Sequence, residues 1–138
     1  MKAARAWKAT LIVLFLLLAV PLALADKTSG PKYNPATETK VSGTVEEVKE
    51  VMDGDEKETH LVVKTDSGLI EVCLCPAKFL SELEMSFQKG DKIEVTGSKV
   101  TDSKGETEVL AREIVRGENT LVLRDKQGGP VWTWLIKK

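Results

Sequence analysis

Of the 138 residues, 20 are Lys or Arg and 21 are Asp or Glu. Three of those bases and none of the acids fall in the first 25 positions, so the remaining 113 residues carry a net charge of −4. That length suits one domain, and a mildly acidic domain has no electrostatic case for nucleic acid, whose binding rests on neutralising phosphates.

The chain opens with Lys2, Arg5 and Lys8, followed by an unbroken apolar run from Leu11 to Val20. Pro21 breaks that run, and Ala23-Leu24-Ala25 puts small residues where a signal peptidase reads. The run is too short to span a bilayer core of about 30 Å comfortably. Residues 1–25 therefore read as a signal peptide, with an uncleaved anchor as the alternative. No cysteine follows Ala25 to carry a lipid. The mature protein is expected to begin at Asp26 and to be periplasmic or secreted, with no stable membrane insertion after cleavage. Residues 26–39 hold Gly30, Pro31, Pro35 and several Thr/Ser without an apolar period, the composition of a flexible linker.

Residues 40–52, 58–65 and 69–75 then read as strands. In the first, Val41, Gly43 and Val45 share a face, and the apolar parity switches at Glu46-Glu47 to Val48, which signals a bulge. The polar stretch Asp53–Lys57 opens no calcium loop, because the Gly and the bidentate Glu that an EF-hand needs at its sixth and twelfth positions are missing, and it reads as a solvated hairpin turn. Asp66-Ser67-Gly68 joins the second and third strands. A helix is expected over 76–86, starting at Pro76, whose missing N–H is harmless in a first turn. Phe79, Leu80 and Leu83 recur at helical spacing and, with Phe87, are placed to plug the bottom of a barrel. Strands follow at 91–100, where Gly97 permits a sharp bend, and at 106–116.

The order β-β-β-α-β-β over 40–116 is the outline of an OB-like barrel: all-β, five strands and one short helix, with ligand contacts concentrated on the second and third strands. Residues 117–138 read as an extra C-terminal hairpin. Its second arm carries Trp132 and Trp134 at period two. These either cover an open edge, which such a fold must protect, or form a partner-docking strip.

One small constellation invites chemistry. If the apolar faces of the second and third strands coincide, partner numbers sum to 133 or 135, pairing His60 with Cys73 or with Cys75. Under strict alternation, His60, Cys73 and Cys75 share the face away from Val72 in both registers. Two thiolates and an imidazole suit copper(I) or, with a further ligand, zinc; Met52 is a distant soft donor. Against a metal stands the habit of paired cysteines in exported proteins to form disulfides. A Cys73–Cys75 disulfide would have to close across about 6.6 Å at Cα, near the limit of the usual window of about 4.4–6.8 Å. Disulfide, metal ligands and free thiols all remain open.

The stretch Lys89-Gly90-Asp91-Lys92-Ile93-Glu94-Val95-Thr96-Gly97-Ser98, with Val41-Ser42-Gly43-Thr44-Val45 ahead of it, resembles the small exported bacterial OB-fold proteins, a loosely defined group. The resemblance covers roughly residues 40–116 and implies a barrel with a binding role, without naming a ligand.

Three classes of function compete. Nucleic-acid binding needs aromatic platforms on the second and third strands, and residues 58–75 contain no Phe, Tyr or Trp. An enzyme needs an activated nucleophile or an acid–base pair. The chain has one His, no nucleophile elbow and no phosphate loop, so no catalytic residue is expected. What remains is a non-catalytic binding or interaction module for an unknown small ligand or protein, with a soft-metal or redox-linked protein using Cys73, Cys75 and His60 as the alternative. No cofactor is required by the sequence; copper or zinc is the candidate if one is held.

Overall fold

A computed structural model describes residues 31–132, and the signal peptide expected at 1–25, the first residues of the linker and Trp134 lie outside them. Among the described residues, no helix is long and apolar enough to cross a membrane. The strands are β1 (Glu38–Asp53), β2 (Glu56–Thr65), β3 (Gly68–Pro76), β4 (Lys92–Thr101), β5 (Thr107–Arg116) and β6 (Asn119–Val122), with helix α1 (Ala77–Glu82) between β3 and β4.

The sheet runs β3-β2-β1-β4-β5-β6 and closes through a parallel β3–β5 pairing. The first five strands thus form the expected OB-like barrel, an all-β fold with one short helix. Its interior holds Val45, Leu61, Val63, Val72, Ile93, Val95, Val109 and Ile114, all nearly or fully buried. Successive residues of a strand face opposite ways, so these positions define the inner face. The expected parity break is a bulge, with the register shifting at Val45/Glu47 on β1, and a second shift comes opposite Thr96/Gly97, where Arg112 is the extra residue on β5. The first is stitched to the turn before β4, since Val45 N–H donates to Asp91 O and Gly90 N–H to Val45 O, both at 2.8 Å.

Close strand approach explains two glycines. A Cβ on Gly43 would be driven into the Lys64 carbonyl on β2, and one on Gly97 into the Leu110 carbonyl on β5.

The helix is shorter than its apolar spacing predicts. Leu83 caps it, Glu84 takes a left-handed φ of 56°, and Met85 N–H donates to Leu80 O. Together with Glu84 N–H to Ser81 O, this is a Schellman ending. Phe79, Leu80 and Phe87 are buried as expected, but Leu83 is 46% exposed because the chain leaves the helix at that point.

Both flanks of the barrel are tied down. Residues 33–38 adjoin β4 and β5 rather than trailing as a linker: Asn34 N–H donates to Ser98 Oγ at 3.0 Å. Tyr33 OH donates to Glu38, whose carboxylate also takes a two-pronged contact from Arg112 at 2.9 and 3.0 Å. Beyond the barrel, β6 pairs with the Glu113–Arg116 half of β5, the half that β3 does not reach. The remaining edge is thereby covered by the first arm of the C-terminal segment, and the chain then turns back through an Arg124–Pro130 bridge.

Candidate functional site

The β2–β3 register pairs His60 with Cys73, Leu61 with Val72 and Val63 with Ile70, the register whose partner numbers sum to 133. A further shift between Thr59 and His60 leaves Leu74 as an extra residue on β3, so the next pair is Thr59 with Cys75. Cross-strand partners share a face. Thr59 lies on the same face of β2 as Leu61 and Val63, so Cys75 turns inward with it. Cys75 is fully buried within the hydrophobic core. His60 and Cys73 face outward together, and Cys75 is parted from them by the bulge. Sequence alternation could not show this, because nothing about Leu74 distinguishes a bulged leucine from a paired one.

The outer face carries an ordered polar cluster. His60 Nδ1 lies 3.7 Å from Cys73 Sγ, and Cys73 S–H donates to Glu108 Oε1 of β5 at 3.0 Å. The ring nitrogens of His60 also meet two carboxylates, Glu71 Oε2 at 2.6 Å from Nδ1 and Glu58 Oε1 at 3.2 Å from Nε2. Lys49 Nζ holds the other oxygen of Glu71 at 3.2 Å. The ligand atoms of His60, Cys73 and Glu108 lie within 4.8 Å of one another. These three residues are only 7%, 7% and 8% exposed although they lie on the outside of a barrel.

Arg124 completes the surroundings from the C-terminal segment. Its Nη1 donates to Leu74 O, on the bulged residue of β3, and to Ala111 O on β5. It sits where the two strands stop pairing, and its guanidinium lies 5.1 Å from the centre of the Trp132 ring. Trp132 packs on Phe79 with ring centres 5.8 Å apart and is 6% exposed, so it offers no surface to a partner. Met52 is exposed near the tip of the β1–β2 hairpin and outside the cluster.

Electrostatics follow from this packing. Both cysteines are free thiols. Burial, reinforced by Glu108, pushes the Cys73 thiol up strongly; burial pushes Cys75 up to about 12, partly offset by Arg124. Burial alone would lower the pKa of His60, but the hydrogen bonds and charges of Glu58 and Glu71 outweigh it and hold the ring above its ordinary value. Burial alone would likewise raise Glu71, yet His60 and Lys49 keep it below the usual carboxylate value.

The raised His60 pKa has a direction in stability. Folding then favours the protonated ring, so the contribution of its contacts with Glu58 and Glu71 is fully present below the unfolded pKa of about 6.5 and is lost as pH rises through the folded value. His60 is the chain's single histidine, and the groups facing it are Glu58, Glu71, Cys73, Glu108 and Lys49. Urea midpoints of the metal-free protein from about pH 6 to about pH 9 are expected to fall more steeply for wild type than for His60→Gln. Parallel curves would show that the ring gains nothing from its two carboxylates on folding.

Sequence reasoning placed His60 and Cys73 together and missed Glu108, Glu58 and Arg124. A signal for Glu108 was present: a five-stranded barrel closes its third strand on its fifth, so an acidic residue opening that fifth strand lands beside the outward cysteine.

No curated protein matches the sequence. Among solved structures, the second single-stranded DNA-binding protein of Mycobacterium smegmatis matches at 20% identity with a TM-score of 0.45, over 74% of this chain and 95% of that one. Residues 37–121, from the start of β1 into β6, match the MamS/MamX magnetosome protein family, and the chain belongs to that family.

Proposed function

We propose that this protein is an exported, non-catalytic OB-fold module that binds a small cation on the outer face of β2, β3 and β5, in the service of a magnetosome. One observation carries the reading. Glu58, His60, Glu71, Cys73 and Glu108 converge on one patch of that face and are interlinked, with His60, Cys73 and Glu108 shielded from water and Glu58 and Glu71 half-buried at its rim. Carboxylates, an imidazole and a thiol are donors to cations. The same patch holds neither the aromatic platform nor the run of bases that a nucleic acid requires. Family membership supports the magnetosome setting, and the basic–apolar–small pattern of residues 1–25 supports export.

Thermal unfolding of the purified mature protein tests this. Zinc or cobalt(II) at one hundred times its dissociation constant is expected to stabilise the fold by about 2.7 kcal/mol, whereas a single-stranded oligonucleotide leaves the midpoint in place. Stabilisation by the oligonucleotide and by neither cation would replace the cation reading with a nucleic-acid one.

A further inference from the structure

We infer that His60 Nδ1, Cys73 Sγ and a carboxylate oxygen of Glu108 form a mononuclear site for a zinc-class divalent metal, with one position left open. This deepens the cation-binding reading above and rests on it.

The spacing is close to what coordination requires. Bond lengths of about 2.3 Å to sulfur and about 2.0–2.2 Å to nitrogen or oxygen, at tetrahedral angles, put neighbouring donors about 3.5 Å apart. The Nδ1–Sγ separation is 3.7 Å, already suitable, and the Sγ–Oε1 separation is 3.0 Å, which has to open modestly. Such an opening is expected when a metal ion takes the place of the thiol proton that Cys73 shares with Glu108. At the ring, the metal takes the place of the proton between Nδ1 and Glu71. Glu71 then keeps its contact with Lys49, at 3.2 Å in the present arrangement, or moves in to fill the open position.

Two further features fit a metal better than a plain ion-pair network. Glu58 accepts from Nε2 and so keeps the proton on that nitrogen once a metal has displaced the one between Nδ1 and Glu71, the carboxylate–histidine–metal arrangement common around metal centres. One thiolate and one carboxylate also balance a divalent charge, with a neutral imidazole as the third donor. The donor set argues against copper(I), which favours soft sulfur ligands over a carboxylate. Cys75, the second thiolate that a copper site would use, is turned into the core.

The test is titration of the reduced, metal-free protein with cobalt(II), read by absorption and by thermal unfolding. The expected result is one cobalt per chain with a thiolate-to-cobalt charge-transfer band. Cys73→Ser abolishes the band, Glu108→Gln weakens binding at least tenfold, and Cys75→Ser leaves the band and the affinity as they are. Zinc displaces the cobalt and removes the band. Each variant is first shown by circular dichroism to retain the β-sheet signal. Should Cys73→Ser fail to fold, Cys73→Ala, matched to the buried setting, replaces it.

The two readings fail separately. Cobalt that stabilises the protein without a thiolate band, equally in wild type and Cys73→Ser, would overturn this site and leave a cation held by Glu58 and Glu71 alone. A band that disappears in Cys75→Ser and persists in Cys73→Ser would overturn the assignment of the sulfur. Absence of any cobalt or zinc binding would overturn the cation-binding reading together with it.

Discussion

Arg124→Ala is expected to lower the melting temperature by at least roughly 15 °C, from a loss of about 3.5 kcal/mol or more. The guanidinium donates to two carbonyls, of Leu74 and Ala111, at the point where β3 and β5 cease to pair. Its removal leaves both carbonyls short of a charged donor in a half-buried position, where hydrogen bonds to ions are worth about 1.5–3 kcal/mol each. The contact with Trp132 adds about 0.5–1 kcal/mol. Arg124→Lys keeps the charge but loses the planar fork and the stacking surface, so it recovers less than half of the difference. Thermal unfolding by circular dichroism measures both, and a fall of less than about 3 °C for the alanine variant would show that water replaces the guanidinium without cost.

Gly43→Ala should destabilise by a comparable amount, about 3 kcal/mol or more, for a different reason. The added methyl group would overlap the carbonyl oxygen of Lys64 and lie 2.7 Å from Val63 Cγ1. Neither neighbour yields easily, because one is backbone and the other belongs to the packed interior. Gly54 supplies the comparison. It has a φ of 68° in the β1–β2 turn, and nothing lies within 4 Å of the position a methyl group would take there. Alanine at that position incurs only left-handed strain of about 1–2 kcal/mol. Urea denaturation of the two variants should therefore separate them by at least about 1 kcal/mol; equal losses would mean that β1 and β2 part freely at Gly43.

The barrel was legible because its signals are local. The parity break at Glu46-Glu47 and the bend at Gly97 are each read within a single strand, and turn chemistry at Asp66-Ser67-Gly68 needs no distant partner. The site was half legible for the same reason. His60 and Cys73 meet across one hairpin, so alternation and a short turn suffice to pair them. Glu108 reaches them from another strand, 35 residues along the chain from Cys73, through a closure that depends on the whole ring. Cys75 was misplaced by a bulge at an apolar residue, where one extra leucine breaks no hydrophobic pattern. Arg124 lies in a segment whose sequence announced only its turn and its tryptophans.

The closure of the ring also decides when the site is complete. The β1–β2 and β2–β3 hairpins join neighbours in sequence, while β3 meets β5 only over Glu71–Cys73 and Glu108–Leu110. Contacts between distant segments incur the larger loop-closure entropy and form late. A chain that has built its hairpins but not shut its ring presents His60 and Cys73 without Glu108. The three-donor cluster therefore exists only where β5 is docked on β3.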